Sequence, residues 1–149
     1  MQPRGVWKIL LAVLLIAYTS ALVYWMFLGF GRTVHTEGPF RYNLVPLRTV
    51  RLYFDLGNGV SFSKRLINLL GNVAVFAPFG LLLPLRVRRL QSFIRLALLA
   101  VPGILVLETL QMLLRVGSFD IDDLILNLLG VWTGYGVLLL IGRARISKR

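Results

Sequence analysis

Four stretches of this chain are long, apolar and nearly free of charge. Ile9–Phe30 is 22 residues without a charge, Leu66–Leu85 is 20, and Leu124–Gly142 is 19. Phe93–Leu114 is 22 residues, interrupted only by Arg95 and Glu108. A bilayer core about 30 Å thick is crossed by roughly 20 helical residues at about 1.5 Å each. Inside lipid the backbone must satisfy its own hydrogen bonds, which leaves helices or a closed barrel. None of the four runs alternates with a period of two, so helices are the reading. Charged residues make up 15% of the chain and hydrophobic residues 57%. A soluble domain carries about 25% charged residues, so a disordered chain is excluded and the balance speaks against a water-soluble globule. The expected fold is an all-α membrane protein, residues 1–149 forming one domain. Its helices are expected at about 9–30, 66–85, 93–114 and 121–142.

The linkers are unequal. Gly31–Arg65 is long, whereas Arg86–Ser92 and Arg115–Asp120 are short. In the long loop, Pro46–Phe54 places Leu47, Val50 and Phe54 at helical spacing with Arg48 and Arg51 between them. That pattern suits a short interfacial helix or a re-entrant piece. Four crossings put both termini and the Arg86–Ser92 loop on one side. That side holds ten basic residues and no acidic one, counting Arg95; the other holds seven basic residues and all six acidic ones. The positive-inside rule assigns the first side to the cytoplasm. The expectation is a multi-pass protein of the bacterial cytoplasmic membrane with both termini inside. The basic tails suit anionic head groups; no aromatic-basic module accompanies them, so nucleic acid is not an expected partner. There is no Cys and one His, His35, which removes thiolate chemistry and leaves His35 as the one imidazole base. It is read as a solvated or capping residue.

Polar groups inside a membrane are costly and ask for a reason. Asn68 and Asn72 are four apart on the second span. Glu108, Gln111 and Arg115 fall on one face of the third. Asp123, Asn127, Gly130 and Gly134 form one stripe of the fourth. All the polar members lie near the non-cytoplasmic ends of their helices, and Asp120 and Asp122 are close by. The spacing predicts a polar pocket in the outer half of the bilayer, roofed by the long loop. Arg48, Arg51 and Arg65 in that loop, or Arg115, are available as counter-ions for Glu108. Some of these residues have plainer readings. A carboxylate at a helix start caps amides and favours the dipole; Asn side chains join helices, and Gly130-x-x-x-Gly134 packs helices closely, within the chain or in an oligomer.

Several motifs in order resemble the VanZ-like family: Asn43-Leu44-Val45-Pro46, Asn68-x-x-x-Asn72 leading to Pro78-x-Gly80, Glu108-x-x-Gln111, and Phe119-Asp120-Ile121-Asp122-Asp123 followed by Asn127, Gly130 and Gly134. The similarity runs from about Arg41 to Leu140. Many relatives carry a basic residue just before the Phe-Asp motif; here Gly117-Ser118 stands there and Arg115 lies slightly earlier. The resemblance implies a small bacterial membrane protein with a cell-envelope role, since the family's namesake is associated with low-level resistance to teicoplanin-type glycopeptides.

The candidate ligand-binding set is therefore Asn43, Arg48, Asn68, Asn72, Glu108, Gln111, Asp120, Asp122, Asp123 and Asn127. The leading expectation is a non-enzymatic protein whose pocket takes a membrane lipid, a lipid-linked envelope precursor or a lipid-anchored glycopeptide. Acidic residues would meet an amine or a cation-bridged phosphate, and loop arginines a phosphate directly. The alternative is an enzyme on a lipid-linked substrate. Glu108, Asp122 and Asp123 would then be its catalytic groups, with Asp120, Asp122 and Asp123 holding a divalent cation such as Mg²⁺, the one cofactor considered.

Overall fold

A computed structural model describes residues 4–29, 34 and 37–146; His35 and Arg32 lie outside the described residues. Among the described residues five α-helices follow one another: α1 (Arg4–Phe27), α2 (Arg48–Phe54), α3 (Phe62–Arg86), α4 (Phe93–Leu113) and α5 (Ile121–Ile146). Among the described residues four of them, α1, α3, α4 and α5, are long and apolar enough to cross a membrane. The short α2 is the helix expected in the long loop. A 3₁₀ turn, Arg88–Leu90, closes the tight connection from α3 to α4.

The helix limits have local causes. Ser61 caps α3 by accepting from the Lys64 amide at 3.5 Å. After α4 the chain turns at Arg115 with φ +58°, a left-handed conformation in which glycine is more usual. The amides of Val116 and Gly117 then close back on the Gln111 carbonyl at 3.0 and 3.2 Å. Pro78 and Pro84 stay within α3, and Pro102 within α4.

The closest packing joins α3 to α5, and glycine makes it possible. A Cβ built on Gly134 would overlap the Ala77 carbonyl, one on Gly130 that of Val73, and one on Gly80 that of Val131. The glycine stripe of the fourth span is thus an intramolecular helix contact, reciprocated by Gly80. Side chains of Leu22, Phe76, Leu96, Ile104, Val131 and Tyr135 form the core. Phe93 meets Tyr135 edge to face at 4.8 Å. Helix α1 leans on α3 through Tyr18, whose hydroxyl donates to the Val75 carbonyl at 2.8 Å and whose ring meets Phe79. Elsewhere large apolar side chains such as Ile9, Val13 and Ile16 of α1 and Ile94 and Leu98 of α4 are exposed, as a lipid-facing surface requires.

One element was not foreseen. Tyr42–Asn43 (β1) and Phe119–Asp120 (β2) pair in parallel, Tyr42 with Phe119 and Asn43 with Asp120. This two-residue bridge clamps the long loop onto the entry of α5.

Candidate functional site

The polar residues read as one pocket form two neighbouring structures. The first is a cavity of about 120 Å³ lined by Asn68, Asn72, Glu108, Gln111, Asp123 and Asn127, with Leu22, Met26, Val75 and Phe76. The polar side chains come from the starts of α3 and α5 and the end of α4, and the apolar ones from the end of α1 and the middle of α3. The four spans therefore meet at one end of the bundle, the end that carries the long loop. Glu108 lies five residues before the end of α4 and Asn127 six after the start of α5, so each is about 8 Å along its helix.

Each lining side chain is held by its helix. Glu108, Gln111 and Asn127 are buried. Gln111 donates to the Met26 carbonyl at 2.8 Å and so ties α4 to the last turn of α1. Asn72 donates to the Asp123 carboxylate at 2.5 Å, joining α3 to α5. Asn68 is exposed at the mouth and donates to the Lys64 carbonyl one turn back. The Asn127 carbonyl oxygen is buried without a hydrogen bond among the described residues. A buried acceptor in that state costs about 1–3 kcal/mol, so it favours a donor brought by water or ligand. No Lys or Arg is among the lining residues.

The second structure is a knot that holds the loop over the cavity. The fully buried Asp122 accepts from the amides of Leu47, Thr49 and Val50, at 2.5, 2.7 and 3.0 Å. A carboxylate from α5 thereby caps the first turn of α2, and Leu47 there adopts φ +62°. Asp120 accepts from Asn43 at 3.0 Å and from the Thr49 hydroxyl at 2.6 Å. It also accepts from the Asp122 amide at 2.9 Å, the capping turn expected at a helix start.

The other end of α2 is matched by a cation. Arg65 is buried and donates to the carbonyls of Tyr53 and Asp55 at 2.6 Å each, to Val60 at 2.9 Å, and to the Asn58 side chain at 2.6 Å. A seven-residue helix thus carries an anion at its start and a cation at its end, as its dipole favours. Tyr53 on α2 faces the acidic cluster. Burial first, and then the charges of Asp123 and Asp120, push its phenol above the usual tyrosine range.

The arrangement does not bring all the predicted site residues together. Asn43, Asp120 and Asp122 belong to the knot and do not line the cavity. Arg48 is exposed in the first turn of α2 and does not line it either. Arg65 is committed to loop carbonyls rather than to Glu108. Arg115 donates to the Gly38 carbonyl at 2.8 Å and lies over the Phe40 ring. The three aspartates face different partners: Asp120 and Asp122 turn to α2 and β1, and Asp123 turns to Asn72. Among the described residues no group of three or more His, Cys, Asp or Glu is placed to hold a metal ion. Sequence reasoning missed Thr49 and the capping role of Arg65. Thr49 stands beside the first residue of a recognisable short helix, a position that invites a capping contact. The acceptors of Arg65 are backbone carbonyls, which leave no mark in a sequence.

Fold and cavity together define a multi-pass helical membrane protein with a polar cavity at one end of its bundle. A family model, VanZ/LLP1, matches residues 9–142. The chain belongs to this VanZ family. No curated protein and no solved structure matches it. The family-like motifs acquire a physical sense here: Asn43 of the first and Asp120 of the last are hydrogen-bonded across the β bridge.

Proposed function

We propose that this protein is a cell-envelope protein of the cytoplasmic membrane whose cavity opens outward and binds the amine of a membrane-resident amphiphile. That amphiphile is a lipid, a lipid-linked envelope precursor or a lipid-anchored glycopeptide. The observation that carries the reading is the cavity lining: two carboxyls, Glu108 and Asp123, four amide side chains, and no basic residue. Such a set accepts hydrogen bonds from an ammonium group and repels a phosphate. Of the cations that could have served a phosphate, Arg65 is committed to carbonyls, and Arg48, Arg51 and Arg115 do not line the cavity.

The size of the cavity supports the same reading. About 120 Å³ approaches the roughly 150 Å³ of a cavity that takes benzene. An ammonium group with its first carbons is of that size. Binding would withdraw the amphiphile from the surface where precursors and glycopeptides meet, which links the cavity to a resistance phenotype.

Glu108→Gln tests this. It keeps size and hydrogen bonding and removes the negative charge. Expressed in a glycopeptide-sensitive host, the wild-type chain should shift sensitivity to a lipid-anchored glycopeptide, and the Gln variant should not, at equal expression and equal melting temperature. Wild-type behaviour from well-expressed Glu108→Gln and Asp123→Asn variants would overturn the binding role.

A further inference from the structure

A second, larger space adjoins the polar cavity. It is about 570 Å³ and is walled by side chains of α1, α3 and α4, with Val131 of α5. Nearly every lining residue is apolar. Leu22 and Phe76 line both spaces, so the two are neighbours across these side chains. From Leu107 to Leu99 the groove follows α4 for about 12 Å, away from the cavity and toward the bilayer centre. Its α4 wall includes Gly103, where an added Cβ would meet nothing within 4 Å. That glycine differs from Gly80, Gly130 and Gly134, which are filled against backbone; it leaves room.

We propose that the groove between α1 and α4 holds the aliphatic chain of the same molecule whose amine occupies the polar cavity. Among the ligands proposed above this selects a lipid, one with a single hydrocarbon chain and its amine close to that chain, over a lipid-linked precursor or a glycopeptide. This rests on the amine-binding reading of the cavity and extends it. Three observations point to that one occupant. The carboxyl-lined cavity is complementary to a cation and of a size that takes the amine end. Leu22 and Phe76 make the apolar groove its immediate neighbour. The groove lies within spans that cross the membrane, where a hydrocarbon chain is the available filler. Charge and chain are thus recognised separately, one by Glu108 and Asp123, the other by the groove.

The experiment uses the full chain in phosphatidylcholine nanodiscs. The probe is dodecylamine carrying a diazirine on its chain; the control is the corresponding long-chain alcohol. The amine probe should label groove residues such as Val23, Ala100 and Leu107, and unlabelled dodecylamine should compete. Gly103→Leu fills the groove and should reduce this labelling at least fivefold. Gly136→Leu adds the same bulk at a glycine that lines neither space, and where an added Cβ also meets nothing within 4 Å; it should leave labelling unchanged. Melting temperatures of both variants should match the wild type, which separates filling from misfolding. Labelling spread evenly over the outward positions Ile9, Val13, Ile94 and Leu98 would overturn the groove. Undiminished labelling in a folded Gly103→Leu would overturn it too. Equal groove labelling by the alcohol, unaffected by Glu108→Gln, would instead contradict the cation-binding cavity and leave an unselective acyl groove.

Discussion

Asp122 and Asp123 are adjacent in sequence and do opposite things. One faces the loop and caps α2; the other faces Asn72 and the cavity. Adjacent helical residues are about 100° apart around the axis, so the two carboxylates cannot share a partner face. Asp122→Ala should therefore loosen the loop and spare the cavity. Three part-buried amides lose their acceptor, so the cost is at least that of a lost cap, about 1–2 kcal/mol. Limited proteolysis should show faster cleavage between about residues 41 and 61, with the rest of the bundle intact. Asp123→Asn should leave that loop as resistant as in the wild type and act on ligand binding instead. Arg65→Lys keeps the charge but loses the guanidinium fork that reaches several carbonyls at once. It should raise cleavage of the same loop, and a pattern identical to the wild type would show that α2 does not depend on that contact.

The four spans and the short helix of the loop were legible because each rests on periodicity and length, which a sequence displays. The cavity was legible for the same reason: Asn68 and Asn72, Glu108 and Gln111, and Asp123 and Asn127 are pairs set by helical spacing, and their helix ends coincide. What escaped was the partition of the acidic cluster. It depends on which face of α5 meets the loop, and that is fixed by the β1–β2 bridge, a contact of 77 residues' separation that no local pattern announces. The glycine stripe on α5 was legible as a packing surface, and α3 supplies the partner. Gly134→Leu should consequently separate α3 from α5. Overpacking costs about 1–3 kcal/mol in cores that can adjust, and here the obstacle is backbone, so the melting temperature in detergent should fall sharply. Gly136→Leu, two residues on, should not lower it. Equal melting temperatures for the two variants would place the stripe against lipid.

At the scale of the whole molecule, all polar machinery gathers at the end of the bundle opposite the basic termini. The proposed orientation, termini inside and cavity outward, follows from the basic-charge asymmetry and is checked by labelling single cysteines. Ser118→Cys, in the exposed turn between α4 and α5, should react with an impermeant reagent from outside, and Ser147→Cys should react only after the membrane is opened; the reverse pattern would invert the protein. On the proposed reading the polar cavity and the apolar groove are adjacent parts of one site, matched to a molecule that is itself polar at one end. The most direct test is a structure determined with the co-purified native lipids retained. The account predicts ordered density in the cavity within hydrogen-bonding distance of Glu108 and Asp123, continuing past Leu22 and Phe76 into the groove. A cavity holding only water, with lipid density confined to the outer faces of α1 and α4, would contradict it.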